Sequence, residues 1–391
     1  MPLLTSAFRP FYFLGTLYAA LLTAAWLGAW LGHWTLPAGA VPLRLWHGHE
    51  MLFGFSAAIV VGIVLTALPS WAGTEEIRGG RLALLVLLWL AGRFAFWAAH
   101  WLPAPAPAIV DLLLFPAVFL MVAPQLWRAT NRLFLLLLPI LLALAAANAA
   151  CHFGILAVHV PLAELGLRGA VHAIILLYVL KGGVLTPVFT GNALRERGRG
   201  EQAPFDFKLE MLAVAVVLLF AATDLAGAPP SWSGLAALAC AGVQAVRTAR
   251  WKGWRLTDVP LVFVMHLGFA WLIFAFLLKA AADLAGLVPD AAWLHAFTVG
   301  SLGMMMLGLM TRVALRHTGR ALVMPGSMKF ACVMMFAAAL IRLAATVHGL
   351  GAWAAALAAV LWGLTFLLYF AVFAAILLRP SLSRDGVSRA G

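Results

Sequence analysis

The sequence predicts an all-α, polytopic membrane protein built from twelve transmembrane helices, and three observations predict it. Hydrophobic residues make up 64% of the 391 positions and charged ones 10%, far from the balance of a soluble domain. Twelve stretches approach the roughly 20 apolar residues that cross about 30 Å of hydrocarbon. They are 10–32, 50–70, 82–100, 106–127, 133–158, 170–191, 209–227, 234–249, 259–282, 292–315, 328–348 and 353–378. The basic residues are also sorted by side. With the amino terminus in the cytoplasm, twenty Lys and Arg fall in the inner loops and ends, and only Arg44 and Arg168 fall outside. That is a strong positive-inside bias. It accounts for the net charge of +12 without nucleic acid as a partner; the lipid bilayer is the partner.

Taken in order, the first span is too long for a cleaved signal peptide, and eleven more follow. Pro10 suits its first turn, with Arg9 beside it. The second span begins at Trp46-His47-Gly48-His49-Glu50, where two imidazoles and a carboxylate stand at the mouth of an apolar run. Such groups are costly in a membrane and ask for a partner. His47 and His49 point roughly 200° apart on a helix, so one ion cannot take both from one face. Arg93 lies in the outer half of the third span and Asp111 in that of the fourth. Asn148, Cys151 and His152 close the fifth.

His172 lies about one turn into the sixth span. The Gly182-Gly183 and Thr186-Pro187 pairs are expected to loosen that helix. The polar stretch from Arg195 to Lys208 is the natural midpoint, yet no repeat is visible across it, so one domain over 1–379 is expected. His266 lies near the middle of the ninth span, with Lys279 and Asp283 near its outer end. His295 and His317 bracket the tenth, 22 residues or roughly 33 Å apart, and must serve opposite faces. Arg342 lies in the outer third of the eleventh. The tail, 380–391, is expected to be disordered. Cys151, Cys240 and Cys332 have no liganding spacing and read as small buried hydrophobes.

Sorted by depth, nine of the eleven histidines fall in the outer half or at the outer surface, leaving His266 and His317 deeper. The charges left inside spans are Arg93, Lys181, Lys279 and Arg342. A haem near the outer face needs imidazoles for its iron and cations for its propionates, and both kinds of group are present at that depth.

The run Trp46-His47-Gly48-His49-Glu50-Met51-Leu52-Phe53-Gly54-Phe55 resembles the signature of the NnrS family. The likeness extends through Ala7-Phe8-Arg9-Pro10-Phe11, Pro187-Val188-Phe189-Thr190-Gly191-Asn192, His266-Leu267-Gly268-Phe269-Ala270-Trp271, His295-Ala296-Phe297-Thr298-Val299-Gly300 and Met310-Thr311-Arg312 to Gly319. It covers essentially the whole chain. Where the family pattern has Arg after the Gly-Gly pair and Gly before the last His-Thr-Gly, this chain has Val184 and Arg316. The resemblance implies a bacterial inner-membrane protein of the nitric oxide response containing haem and copper. Helix count and histidine-bearing helices 2, 6 and 10 are also similar to haem-copper oxidase main subunits.

The expectation is a protein that binds nitric oxide and reduces or sequesters it, drawing electrons from quinol or another donor. Its cofactors are haem b and copper, or a second haem or non-haem iron in place of the copper. His49 and His295 are the preferred axial ligands and Arg93 and Arg342 the propionate partners. His47, His172 and His266 are candidates for a second metal, and His317 is a further candidate ligand. The competing readings are a small-solute or ion channel running past Lys181, Thr186, Asn192 and His266, and a haem-based sensor signalling through the inner loops.

Overall fold

A computed structural model describes residues 2–39, 41–129 and 132–382 of the chain. Among these there are helices and no strands. The principal helices are α1 (Phe8–Trp30), α2 (Leu43–Ser70), α3 (Gly80–Trp97), α4 (Ala106–Arg128), α5 (Phe134–Leu156), α6 (Val160–Glu196), α7 (Phe207–Leu225), α8 (Pro230–Arg250), α9 (Pro260–Ala285), α10 (Ala291–His317), α11 (Gly326–His348) and α12 (Ala352–Leu378). Prolines open several of them: Pro230 and Pro260 occupy the first turns of α8 and α9, where a missing N–H costs nothing. Left-handed glycines close α9 and α11, Gly286 at φ 61° and Gly349 at φ 60°, a conformation only glycine adopts freely.

All twelve predicted helices form, and ten of them, among the described residues, are long and apolar enough to cross a membrane. The two that fall short are α7, which carries Lys208, Glu210 and Asp224, and α8, rich in Ala, Gly and Ser and carrying Gln244 and Arg247. Arg247, Glu210 and Asp224 are paired internally. Arg247, 1% exposed, donates Nε–H to Glu210 Oε1 at 2.9 Å and a second N–H to the Val179 carbonyl at 3.1 Å. Lys279 on α9 is held by Asp224 of α7 at 2.9 Å, by Asp283 at 3.2 Å and by Asp290 at 2.8 Å. Buried charges persist only when partnered in this way.

Helix α6 is 37 residues long and begins ten residues before the predicted span. A Cβ on Gly154 or Gly166 would collide with the backbone of the facing helix. The two glycines let α5 and α6 close tightly, and helical packing extends α6 back to Val160. The loosening expected at Gly182-Gly183 takes the form of a π-helical turn at Tyr178–Gly182. Two further π turns, Glu50–Ser56 in α2 and Ala296–Leu302 in α10, begin directly after His49 and His295. Such turns widen the helix and re-aim the side chains beside them.

The chain forms two compact units. The first contains the amino-terminal part through Ile174, Val313–Ala321 and the chain from Phe366 on; the second contains Ile175–Arg312 and Leu322–Thr365. In the first unit Arg9 is buried at 2% exposure. Its guanidinium donates to the carbonyls of Leu377 at 2.7 Å and Arg379 at 2.6 Å and to the Ser381 hydroxyl at 2.9 Å. These are carbonyls that the end of α12 leaves without helical partners. The Ser381 hydroxyl donates to the His317 carbonyl at 2.9 Å, and Leu382 N–H donates to the Thr318 carbonyl at 3.0 Å. Pro380 to Leu382 therefore follows an ordered course, and the rest of the predicted tail, 383–391, lies outside the described residues.

Arg9→Ala removes three charge-assisted hydrogen bonds from the end of α12 and should cost about 2 kcal/mol or more in detergent-titrated unfolding. Arg9→Lys, a point charge without the fork, should restore only part of that.

Candidate metal centre

The π turn of α2 places His49 and Glu50 side by side in the first unit, both fully buried. His49 Nδ1 lies 2.9 Å from Glu50 Oε1. A carboxylate only accepts, so Nδ1–H donates to it. Nε2 also faces only acceptors, Asp111 Oδ2 and Asn148 Oδ1, each at 3.1 Å, so on a neutral ring it is a lone pair against two oxygens, a position filled by a second proton or by a cation. Asn148 is oriented by donating its amide N–H to Asp111 Oδ2 at 2.9 Å. His152 Nε2 lies 2.9 Å from the same oxygen. Two acceptors against that nitrogen form an arrangement that either a second proton on His49 or a metal cation completes.

Arg93 on α3 binds Glu50 through one N–H and Asp111 through another. Glu50 also accepts from Trp97 Nε1 at 3.2 Å, and Trp97 in turn meets the Tyr18 hydroxyl at 2.7 Å. Phe96 packs on the His49 ring with centroids 4.1 Å apart and edges onto His152 at 5.5 Å. Two glycines make room. A Cβ on Gly54 would meet Tyr18 Cε1 at 2.8 Å, Arg93 Nη1 at 3.1 Å and Glu50 Oε2 at 3.2 Å, and one on Gly92 would meet Asp111 Oδ1 at 2.6 Å. Helix α4 is irregular at Leu112 and Leu113, just past Asp111.

With both imidazoles neutral, two carboxylates oppose one guanidinium, a deficit of one positive charge that a proton on His49 or a metal cation makes up. The ligating atoms of His49, Asp111 and His152 lie within 4.8 Å of one another. A tetrahedral shell at about 2.0–2.1 Å from the metal separates its ligand atoms by roughly 3.3 Å, so small side-chain adjustments suffice. The Glu50–His49 pair supplies the carboxylate–imidazole support that metal-bound histidines have. Two imidazoles and one carboxylate are the donors of divalent iron, zinc or copper(II), not of a soft thiolate site.

The other sequence-predicted residues take separate places. His47, two residues from His49, packs its ring on Trp26 with centroids 4.4 Å apart, as the spacing requires. His172 is buried on α6, outside the His49–Asp111–His152 grouping. Arg93 is in the cluster but is engaged by carboxylates. In the second unit, His295 Nδ1 donates to the Ala291 carbonyl at 2.8 Å, and Arg342 donates to His295 Nε2 at 3.0 Å. The predicted imidazole and propionate partner are thus together there. His266 Nε2 pairs with Thr190 Oγ1 at 2.8 Å. His317 returns to the first unit, its ring 5.7 Å from that of Phe8. Asp111, Asn148 and His152 were visible in the sequence as polar residues in apolar spans. Their convergence was not, because it depends on the packing of α3, α4 and α5.

Fold and centre define a polytopic α-helical membrane protein with a buried histidine–carboxylate cluster whose ligating atoms could hold a metal ion. The NnrS protein family matches residues 2–381, and the chain belongs to it. No match was found among curated proteins.

Breaking one side of the Arg93 clamp should be costly. Arg93→Met should destabilise by about 3–5 kcal/mol, since it leaves the Glu50 and Asp111 carboxylates buried with no guanidinium between them, whereas Asp111→Asn, which leaves Arg93 paired with Glu50, should cost less. The two together should cost much less than their sum, and a double-mutant unfolding cycle measures the difference.

Proposed function

We propose that this protein binds nitric oxide at a transition-metal centre held by His49, Asp111 and His152 and removes it by reduction or sequestration. The single observation that carries the reading is the convergence of those three ligating atoms within 4.8 Å in a buried cluster, with Glu50 supporting His49 from its Nδ1 side. Membership of the NnrS family, whose members the sequence resemblance associates with haem, copper and the nitric oxide response, supports it. A bound copper or non-haem iron would supply an open coordination position for the gas.

The chain's own residues do the rest. Asp111 bridges both imidazoles, Asn148 orients Asp111, and Arg93 holds Asp111 and Glu50 in register. Phe96 and Phe53 line the His49 ring and keep water away, which suits a small neutral ligand such as nitric oxide. Haem b fits the second unit better than the first. His49 is enclosed by polar partners at about hydrogen-bond distance, whereas His295 has its tautomer set by a backbone carbonyl and a guanidinium beside the ligating nitrogen. His295 would hold the iron, and Arg342 would turn its donors to a propionate. Quinol is the proposed electron donor, and the bacterial cytoplasmic membrane, with both chain ends inside, is the proposed location.

The purified protein should carry iron or copper by elemental analysis and show a Soret band that shifts when nitric oxide is added. His152→Ala should lower the affinity of the non-haem metal by about 10–100-fold or abolish it, and His295→Ala should remove the Soret band. Protein without metal, and a spectrum indifferent to nitric oxide, would overturn the reading.

A further inference from the structure

Two segments that link helices of the second unit are bound to each other. Arg199 donates to the Arg255 carbonyl at 2.7 Å, and Arg255 donates to the Arg199 carbonyl at 3.0 Å. Lys252 donates to the Glu201 carbonyl at 2.6 Å, Ala203 N–H to the Arg250 carbonyl at 3.1 Å, and Arg250 in turn to the Pro204 carbonyl at 3.2 Å. The segment after α6 therefore runs antiparallel to the segment after α8, and the two form one platform at these helix ends. Most of the acceptors are neutral carbonyls, so the donors keep their charge. Arg199 is neutralised by Asp258 at 3.0 Å, whereas Arg197 and Arg250 stand 3.6 Å from Asp258 and 3.8 Å from Asp206. Across 195–208 and 250–258, seven Lys and Arg meet four Asp and Glu. The platform is left with an excess of cations.

It also exposes aromatic rings. Phe205, Phe207 and Trp254 are 70%, 57% and 61% exposed. Rings of this size are costly in water and suit the level at which a bilayer meets its headgroups. The apolar surface continues along the helices. Phe207 and Met211 lie four residues apart on α7, as do Lys208 and Leu212, and Val246 and Arg250 have the same spacing on α8, so each pair shares a face. Met211, Leu212 and Val246 are all exposed, and Lys208 and Arg250 each crown one of these apolar stripes. The two helices are neighbours, joined by the Arg247–Glu210 pair and by the Cys240 thiol, which donates to the Val216 carbonyl at 3.2 Å.

We propose that the adjoining ends of α7 and α8 bind an anionic phospholipid, with Lys208 and Arg250 at its headgroup and Phe207, Leu212 and Val246 along its acyl chains. Charge and polarity together select this occupant. A soluble acidic partner would meet the cations but leave the rings and apolar stripes uncovered, and a second copy of the chain would bring another positive platform. A zwitterionic lipid cancels its phosphate charge with its own ammonium group, so a platform with excess cations prefers the anionic kind. None of these residues is a proposed metal ligand, so the lipid site stands or falls apart from the metal centre.

Native mass spectrometry of the full chain in detergent tests it, with dioleoylphosphatidylglycerol and dioleoylphosphatidylcholine as the probes. The first phosphatidylglycerol should bind roughly tenfold more tightly than the first phosphatidylcholine, since each cation near an anionic headgroup is worth roughly fivefold in affinity. Lys208→Gln should lower phosphatidylglycerol affinity by roughly fivefold, and Lys208→Gln with Arg250→Gln by roughly tenfold or more, with phosphatidylcholine binding unchanged. Arg250→Lys keeps the charge and should bind both lipids as the native protein does, which separates loss of charge from damage to the platform. Arg78→Gln with Arg81→Gln removes two exposed arginines at the start of α3 in the first unit and should leave phosphatidylglycerol affinity within roughly twofold. Equal affinity for the two lipids in the native protein would overturn the proposal, as would the same loss in the Arg78 and Arg81 variant as in the Lys208 and Arg250 one.

Discussion

Arg93 is the hinge of the first unit's chemistry. Its guanidinium spans Glu50 and Asp111, two carboxylates that would repel one another in a medium of low dielectric without it. Through Glu50 it holds the acceptor against His49 Nδ1, and through Asp111 it sets where His152 and Asn148 converge. With neutral imidazoles the cluster is one positive charge short, a place for a proton on His49 or for a metal cation. The Lys279 and Arg247 pairings of the second unit fix helices to one another but bring no second imidazole, so among the described residues they offer no comparable centre.

Local backbone chemistry makes this arrangement possible. The π turn after His49 lets consecutive residues His49 and Glu50 share one buried pocket, and Gly54 and Gly92 leave space where Tyr18, Arg93 and Asp111 come together. The run from His49 to Gly54 thus combines three demands: an imidazole, a supporting carboxylate, and a glycine where Tyr18 and Arg93 press against α2. Substituting any one of them with a residue of similar polarity would preserve the apolar pattern of α2 while losing the geometry.

Much of the architecture was legible in the sequence. Apolar run lengths located all twelve helices, and prolines and glycines marked several of their ends. The exceptions have physical causes. Helix α6 runs on to Val160 because Gly154 and Gly166 permit a backbone contact that hydropathy does not register. Helices α7 and α8 are poorer in apolar residues than a free-standing span because Arg247 and Glu210 neutralise each other. At the site, the sequence marked His49 as exceptional and placed Arg93 and Asp111 at matching depth. His152 carried the same signal as several interfacial histidines that stand alone. Only the crossing of α4 and α5 over the end of α2 separates it from them, and a one-dimensional pattern carries no trace of that crossing.

X-ray absorption at the metal edge of the purified, native protein bears most directly on the centre. Convergence of His49, Asp111 and His152 predicts a first shell of two imidazole nitrogens and one or two oxygens at about 2.0–2.2 Å, with no sulfur. That shell should lose one imidazole contribution in His152→Ala. A shell containing sulfur, or one unaltered by loss of either His49 or His152, would contradict the account.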